Sequence, residues 1–267
     1  MQLPFIKMQA AGNDYIFIDC LVKEVEDPES LARTLCRPHF SVGADGLILL
    51  LPSKLADARI RIFNADGSEA GMCGNASRCA GKLIYESNYK RKSHLTLETR
   101  SGIRDLYLTV KNGSIESITV DMGKAQIGEM FLLDGSGEKF EMREINVGND
   151  HQVAFVPDVD YIDLLRFGKS FKENPRFPNG VNTEFCEIVG KDHIKVRTLE
   201  RGVGETLACG TGACAATVAA VINGLCSPSK RIRISMRGGE LFAICDEMLH
   251  VRLLGDASRV FEGTVEL

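Results

Sequence analysis

The chain has 267 residues, 44% hydrophobic and 25% charged, the composition of a folded globular protein long enough for two cores. A net charge of −4 gives no electrostatic reason to expect nucleic acid or an anionic membrane as a partner. No apolar run approaches the ~20 residues that a membrane span needs, and the first eight residues, M-Q-L-P-F-I-K-M, lack the parts of a signal peptide, so a cytoplasmic protein is expected.

In chain order, residues 5–10 and 15–20 read as strands around a Gly12-Asn13 turn. Asp27-Pro28-Glu29 reads as a helix start leading into residues 31–36. A turn at 43–46, an apolar strand at 47–51 and a strand at 59–63 follow, and a helix is expected from Cys73 to about Ser87. Strands at 94–99, 103–110 and 115–121 lead to a unit boundary around Asp121-Met122-Gly123. Beyond it come a turn at 134–137, strands at 145–147 and 152–156, a short helix at 161–167 and a proline-bearing loop at 174–182. Strands at 184–189 and 194–199 precede a helix at 211–223, so uniformly small and apolar that it should be enclosed, with Gly224 as its stop. Strands at 231–236, 241–245, 249–254 and 260–267 complete the chain, an α/β or α+β class with mixed sheets.

The two halves repeat each other. Residues 61–80 (R-I-F-N-A-D-G-S-E-A-G-M-C-G-N-A-S-R-C-A) and 197–216 (R-T-L-E-R-G-V-G-E-T-L-A-C-G-T-G-A-C-A-A) share a basic/apolar run, a glutamate, a Cys-Gly pair and a small-residue helix. The offset is constant: Cys73 recurs as Cys209, Glu69 as Glu205, and Gly12-Asn13-Asp14 as Gly148-Asn149-Asp150. Repeats of about 130 residues are domain-sized, so two similar domains are expected, 1–121 and 122–258, with an equivalent Cys-Gly turn in each facing a cleft between them.

Nine cysteines without C-x-x-C or a secretion signal argue against a disulfide framework and a zinc site. Cys20, Cys36, Cys186, Cys226 and Cys245 read as core, and Cys79 and Cys214 as helix packing. Glu69 and Glu205 read as structural, capping a turn or binding loop amides. Arg59, Arg61, Lys195 and Arg197 read as a solvated strand face, and Asn13 and Asn149 as residues suited to positive φ. His39, His94, His193 and His250 lack ligand spacing.

Cys73 and Cys209 are different, because a cysteine at a helix start meets unpaired N–H groups and the positive helix end. Such a site binds a carboxylate and should lower a thiol's pKa from about 8.5 towards neutrality. Two such turns around one α-carbon would let one thiolate remove a proton while the other thiol donates one to the opposite face. That is inversion without a cofactor.

Gly12-Asn13-Asp14-Tyr15, Phe63-Asn-Ala-Asp-Gly-Ser68, Met72-Cys-Gly-Asn75, Asn182, Glu200-Arg-Gly-Val-Gly-Glu-Thr206 and Ala208-Cys-Gly-Thr-Gly-Ala213 together resemble the diaminopimelate epimerase family over the whole chain. The resemblance implies interconversion of LL- and meso-diaminopimelate in lysine and peptidoglycan synthesis, without pyridoxal phosphate or metal. It also implies two pseudosymmetric domains, each a barrel-like mixed sheet around a central helix, with the last strand, 259–267, joining the first domain, and a homodimer. Carried over, Cys73 and Cys209 are the acid/base pair, and Gly74, Asn75, Gly210 and Thr211 hold the α-carboxylate. Asn13, Asn64, Asn149, Asn182, Glu200 and Arg201 bind the rest of the substrate, with His151 near the site; an arginine fork suits the distal carboxylate and a glutamate the distal ammonium. The chain departs from the family at Asp150, where proline is usual, and at Gly46, where some members have glutamine. Proline and hydroxyproline racemases, which share the implied fold, carry Met-Cys-Gly-His and Asp-Arg-Ser-Pro-Cys-Gly-Thr motifs that are absent here. A dithiol redox protein and a non-catalytic amino-acid-binding protein are the alternatives outside isomerisation.

Overall fold

The computed structural model of the chain describes residues 2–135, 137–164, 166–167, 174–178 and 180–266. Ser136, Leu165, Asn179 and Leu267, which fall in the expected 134–137 turn, 161–167 helix, 174–182 loop and last strand, lie outside the described residues. The chain forms two compact units, Met1–Asp121 with Gly255–Leu267, and Met122–Leu254.

The first unit starts with the hairpin of β1 (Gln2–Ala10) and β2 (Asn13–Asp19). Its left-handed positions are Ala11 (φ 54°) and Gly12 (φ 80°) rather than Asn13, and in the second unit Gly148 (φ 107°) rather than Asn149. Both asparagines are therefore relieved of the turn-making role their type suggested. Helix α1 (Pro28–Leu35) begins at Asp27, whose carboxylate accepts the Ser30 N–H at 3.0 Å, and its Leu31 and Leu35 share a core with Ile16, Ile18, Leu47, Leu49 and Phe63. Strands β3 (Gly46–Leu51), β4 (Ala58–Asn64), β5 (Glu69–Ala70), β6 (His94–Thr99), β7 (Gly102–Lys111) and β8 (Ser114–Lys124) surround helix α2 (Gly74–Glu86) in the sequence. β2 and β3 pair in parallel, as do β4 and β6, while β1–β2, β3–β4, β6–β7 and β7–β8 are antiparallel.

The second unit repeats this plan. It comprises β9 (Gln126–Gly135), β10 (Glu138–Asn146), β11 (Asp150–Phe155), β12 (Asn182–Gly190), β13 (His193–Glu200), β14 (Gly204–Thr206), helix α3 (Gly210–Ile222), β15 (Ile232–Met236), β16 (Gly239–Cys245) and β17 (His250–Gly255). The parallel pairs are β11–β12 and β13–β15, in the places of β2–β3 and β4–β6. Strand β18 (Ser258–Glu266) pairs antiparallel with β1, as β9 does with β10. The expected helix at 161–167 is a 3-10 turn at Val159–Tyr161 followed by helical backbone at Leu164, Arg166 and Phe167. Phe167 and Phe185 both pack edge-on against Phe140, at 5.3 and 5.1 Å.

Both central helices are buried on nearly every face. Small residues permit this: a Cβ added to Gly81 in α2 would lie 2.7 Å from a Leu106 methyl of β7, and α3 presents alanines to strands β10 to β13 and β16. The nine cysteines are free thiols, all buried except the half-buried Cys73. The solvated-face reading of the strand arginines is wrong for Arg197, which is 8% exposed. The segment around Val159–Tyr161 covers it, and its guanidinium donates to the Val159 and Ile162 carbonyls at 2.9 and 2.7 Å and to Glu205 at 2.8 Å. Arg61, its repeat counterpart, pairs with Glu69 at 2.9 Å. The repeated glutamates are thus structural, but they bind arginines rather than loop amides.

Candidate active site

Each unit places a cysteine immediately before its central helix. Cys73 precedes α2 with extended backbone (φ −146°, ψ 120°), and Cys209 precedes α3 in the same way (φ −125°, ψ 113°). An extended residue entering a helix leaves the first-turn N–H groups pointing outward without intrahelical acceptors. Gly74 and Asn75 supply those groups in one unit and Gly210 and Thr211 in the other.

Around Cys73 the immediate neighbours are neutral, with one cation and one carboxylate, Asp45 at 2.5 Å from Asn13 Nδ2, a step further out. The Tyr15 hydroxyl lies 3.1 Å from Cys73 Sγ and also donates to Asn13 Oδ1. Asn75 Nδ2 donates to the same Asn13 oxygen at 3.3 Å, and Arg78 Nη2 donates to Asn75 Oδ1 at 2.9 Å. Among the described residues, the fully buried Arg78 has no carboxylate hydrogen-bond partner; Nε donates to the Asp256 carbonyl at 3.2 Å, and Nη1 is unpaired. Burial pulls its pKa down from the usual guanidinium value, yet a guanidinium keeps its charge in proteins. Burial, and then the neighbouring Cys73, hold the Tyr15 phenol well above its ordinary range, so it stays protonated.

Around Cys209 the neighbours are carboxylates. Its sulfur accepts the Gly212 N–H at 3.3 Å and lies 3.4 Å from Thr211 Oγ1. His151 and Glu184, both fully buried, join through Nδ1 and Oε1 at 2.9 Å, and His151 Nε2 meets Asn149 Oδ1 at 3.1 Å. Glu184 Oε2 has no partner among the described residues, and a Cβ on Gly212 would lie 2.6 Å from Oε1. Glu200 accepts from Thr206 Oγ1 at 2.6 Å, and burial raises its pKa. Burial first, then Glu200 and Glu184, push the Cys209 thiol well above the ordinary range, against the smaller opposing effects of Thr211 and Gly212. The expectation that a helix start lowers the thiol pKa is reversed here, because desolvation and two carboxylates outweigh the helix end.

The first unit thus gathers Cys73, Gly74, Asn75 and Asn13, while Asn64 stands exposed at the end of β4, donating to Ser68 Oγ at 3.0 Å. The second gathers Cys209, Gly210 and Thr211, the His151–Asn149 pair and Glu200, and joins Asn182 to the Arg201 amide at 2.8 Å. Asp150, in the place of the family proline, accepts from Asn146 Nδ2 at 2.7 Å and ties the turn with a side chain instead of a ring. Gly46 suits its place because a Cβ there would lie 2.8 Å from the Phe63 carbonyl. Sequence reasoning missed Tyr15, Arg78 and Glu184. The repeat offset contained a signal for the first, since it sets Tyr15 opposite His151.

The chain matches the family model described as diaminopimelate epimerase over residues 5–128 and 144–260. It is 41% identical to a diaminopimelate epimerase of Desulfovibrio desulfuricans, covering 98% of this chain and 97% of that one. To a diaminopimelate epimerase of Bacteroides thetaiotaomicron it is 44% identical, over 99% and 98% of the two chains. Among solved structures, a probable proline racemase from Agrobacterium radiobacter superposes with a TM-score of 0.80 at 16% identity, covering 99% and 93% of the chains. A PhzF-family phenazine biosynthesis protein of Bacillus anthracis superposes at 0.78 with 18% identity over 100% of both. These last two share the fold, mixed sheets with few helices.

Proposed function

The chain belongs to the diaminopimelate epimerase family, and from this we propose that it interconverts LL- and meso-2,6-diaminopimelate through Cys73 and Cys209, in lysine and peptidoglycan precursor synthesis. The observation that carries the reading is the paired helix start, a cysteine before α2 and another before α3 in equivalent backbone geometry. One sulfur, as thiolate, takes the α-proton and becomes a thiol. The other, as thiol, gives its proton to the opposite face and becomes a thiolate. The enzyme finishes in the complementary protonation state, from which the reverse reaction starts, and nothing is oxidised or reduced.

First-turn N–H groups at Gly74, Asn75, Gly210 and Thr211 hold the α-carboxylate, where both helix ends stabilise charge that builds as the C–H bond breaks. Asn13 and Asn149 flank the two cysteines, Asn64, Asn182 and Arg201 take the distal end, and His151 supports the Cys209 side. Glu200 receives an ammonium. That positive charge opposes the carboxylate field that burdens a thiolate at Cys209. We assign the enzyme to the cytoplasm as a homodimer, which sedimentation at micromolar concentration tests.

The decisive experiment is proton NMR with LL-diaminopimelate in D₂O. Deuterium should enter one α-carbon as meso isomer forms, and Cys73→Ala and Cys209→Ala should each slow this by at least about 1,000-fold. Exchange with proline but not diaminopimelate would keep the mechanism and discard the substrate. No exchange with any amino acid would sink the reading.

A further inference from the structure

Tyr15 does more than fill space beneath Asn13. We propose that it is a further catalytic residue of the Cys73 half of the site, its hydroxyl donating to the Cys73 thiolate and accepting from the Cys73 thiol.

Among the described residues the hydroxyl has two partners, Cys73 Sγ at 3.1 Å and Asn13 Oδ1. The amide orientation of Asn13 is fixed from outside: Nδ2 donates to Asp45 Oδ2 at 2.5 Å, a carboxylate that also accepts the Asp14 amide at 3.0 Å. Asn13 Oδ1 must therefore face Tyr15, and it holds a second donor in Asn75 Nδ2 at 3.3 Å. When Cys73 is a thiol, S–H donates to the phenol oxygen and the phenol donates to Asn13. When Cys73 is a thiolate, the phenolic hydrogen swings to sulfur and Asn13 keeps the Asn75 N–H. One rotating hydrogen serves both states, and no buried donor or acceptor is stranded. In the reaction, the thiolate takes the α-proton to form S–H, the C–H electron pair stays on the substrate, and the phenolic O–H bond remains intact. Burial keeps the phenol protonated, which suits a permanent donor rather than a proton carrier.

The other unit has no copy of this device. His151 stands at the repeat position of Tyr15, but its ring nitrogens are engaged by Glu184 and Asn149, and Cys209 turns to Gly212 and Thr211 instead.

The role in turnover rests on the two-cysteine reading above, whereas the hydrogen bond to sulfur does not, and Tyr15→Phe separates the two. Iodoacetamide alkylation of Cys73 and Cys209 is followed against pH by peptide mass spectrometry, beside kcat/KM in both directions. Losing a hydrogen bond to a charged sulfur should slow Cys73 alkylation at neutral pH about tenfold and move its pH midpoint up. The alkaline plateau rate, which reports access, and the Cys209 profile should stay the same. The value of kcat/KM should fall by the same factor in both directions, because the isomer equilibrium fixes the ratio of the two. A Cys73 alkylation profile unchanged by the substitution overturns the proposal whatever happens to turnover. A shifted profile in a protein that never epimerises diaminopimelate supports the hydrogen bond and overturns the epimerase reading instead.

Discussion

The surroundings of Cys73 and Cys209 share a backbone and differ in charge. Position by position along the repeat, Tyr15 stands for His151, Ile48 for Glu184, Asn64 for Glu200 and Arg78 for Cys214. One cysteine therefore sits in a network of neutral groups that runs to a buried guanidinium through Asn75 and to the Asp45 carboxylate through Asn13, and the other directly beside two carboxylates. Duplication preserved what the backbone needs, the extended entry residue and the glycine after it. The side chains that set each sulfur's electrostatics diverged. In the proposed two-cysteine reaction, such divergence sets the sulfur on which the shared proton rests between turnovers.

Substitutions at matched positions sharpen or break that comparison. The largest difference should come from the repeated arginines. Arg197→Ala strands the Val159 and Ile162 carbonyls and should lower unfolding stability by about 3 kcal/mol in urea titrations. An effect below about 1 kcal/mol would show that the covering segment does not depend on it. Glu184→Gln comes next. Removing its charge relieves one cause of the raised Cys209 pKa, so Cys209 alkylation at pH 8 should quicken severalfold while Cys73 is unchanged. A slower rate would mean that Glu184 acts through His151 rather than through its field. Smallest is Arg61→Ala, whose guanidinium is 25% exposed, at about 0.5 kcal/mol. Arg61 lowers the Glu69 pKa, so the stabilisation is present above the unfolded carboxylate value and fades as pH falls through the folded one. Wild type and variant should therefore converge in urea titrations carried towards pH 3.

What was legible beforehand followed from periodicity and from the repeat. The enclosed α3 was readable from its alanines, and β6 from strict alternation. Strand β9 was not, because its Ile127, Met130 and Leu132 are 42%, 44% and 70% exposed and mark no buried face. The site cysteines stood out because they recur before small-residue helices. Arg197 was misread because alternation along β13 says nothing of a segment laid over it. Tyr15 and Glu184 were hidden for a related reason. Each looks like an ordinary strand residue until the register of β2 and β12 shows which cysteine it approaches.

Gly212 and Glu184 also constrain the order in which this sequence can change. A Cβ at 212 would lie 2.6 Å from the Glu184 carboxylate and 3.2 Å from Cys209 Cβ, so Gly212→Ala asks both side chains to give way, and shortening position 184 relieves only the first contact. Positions 184 and 212 are therefore coupled beside Cys209, and a library that randomises either alone will miss combinations that only the pair allows.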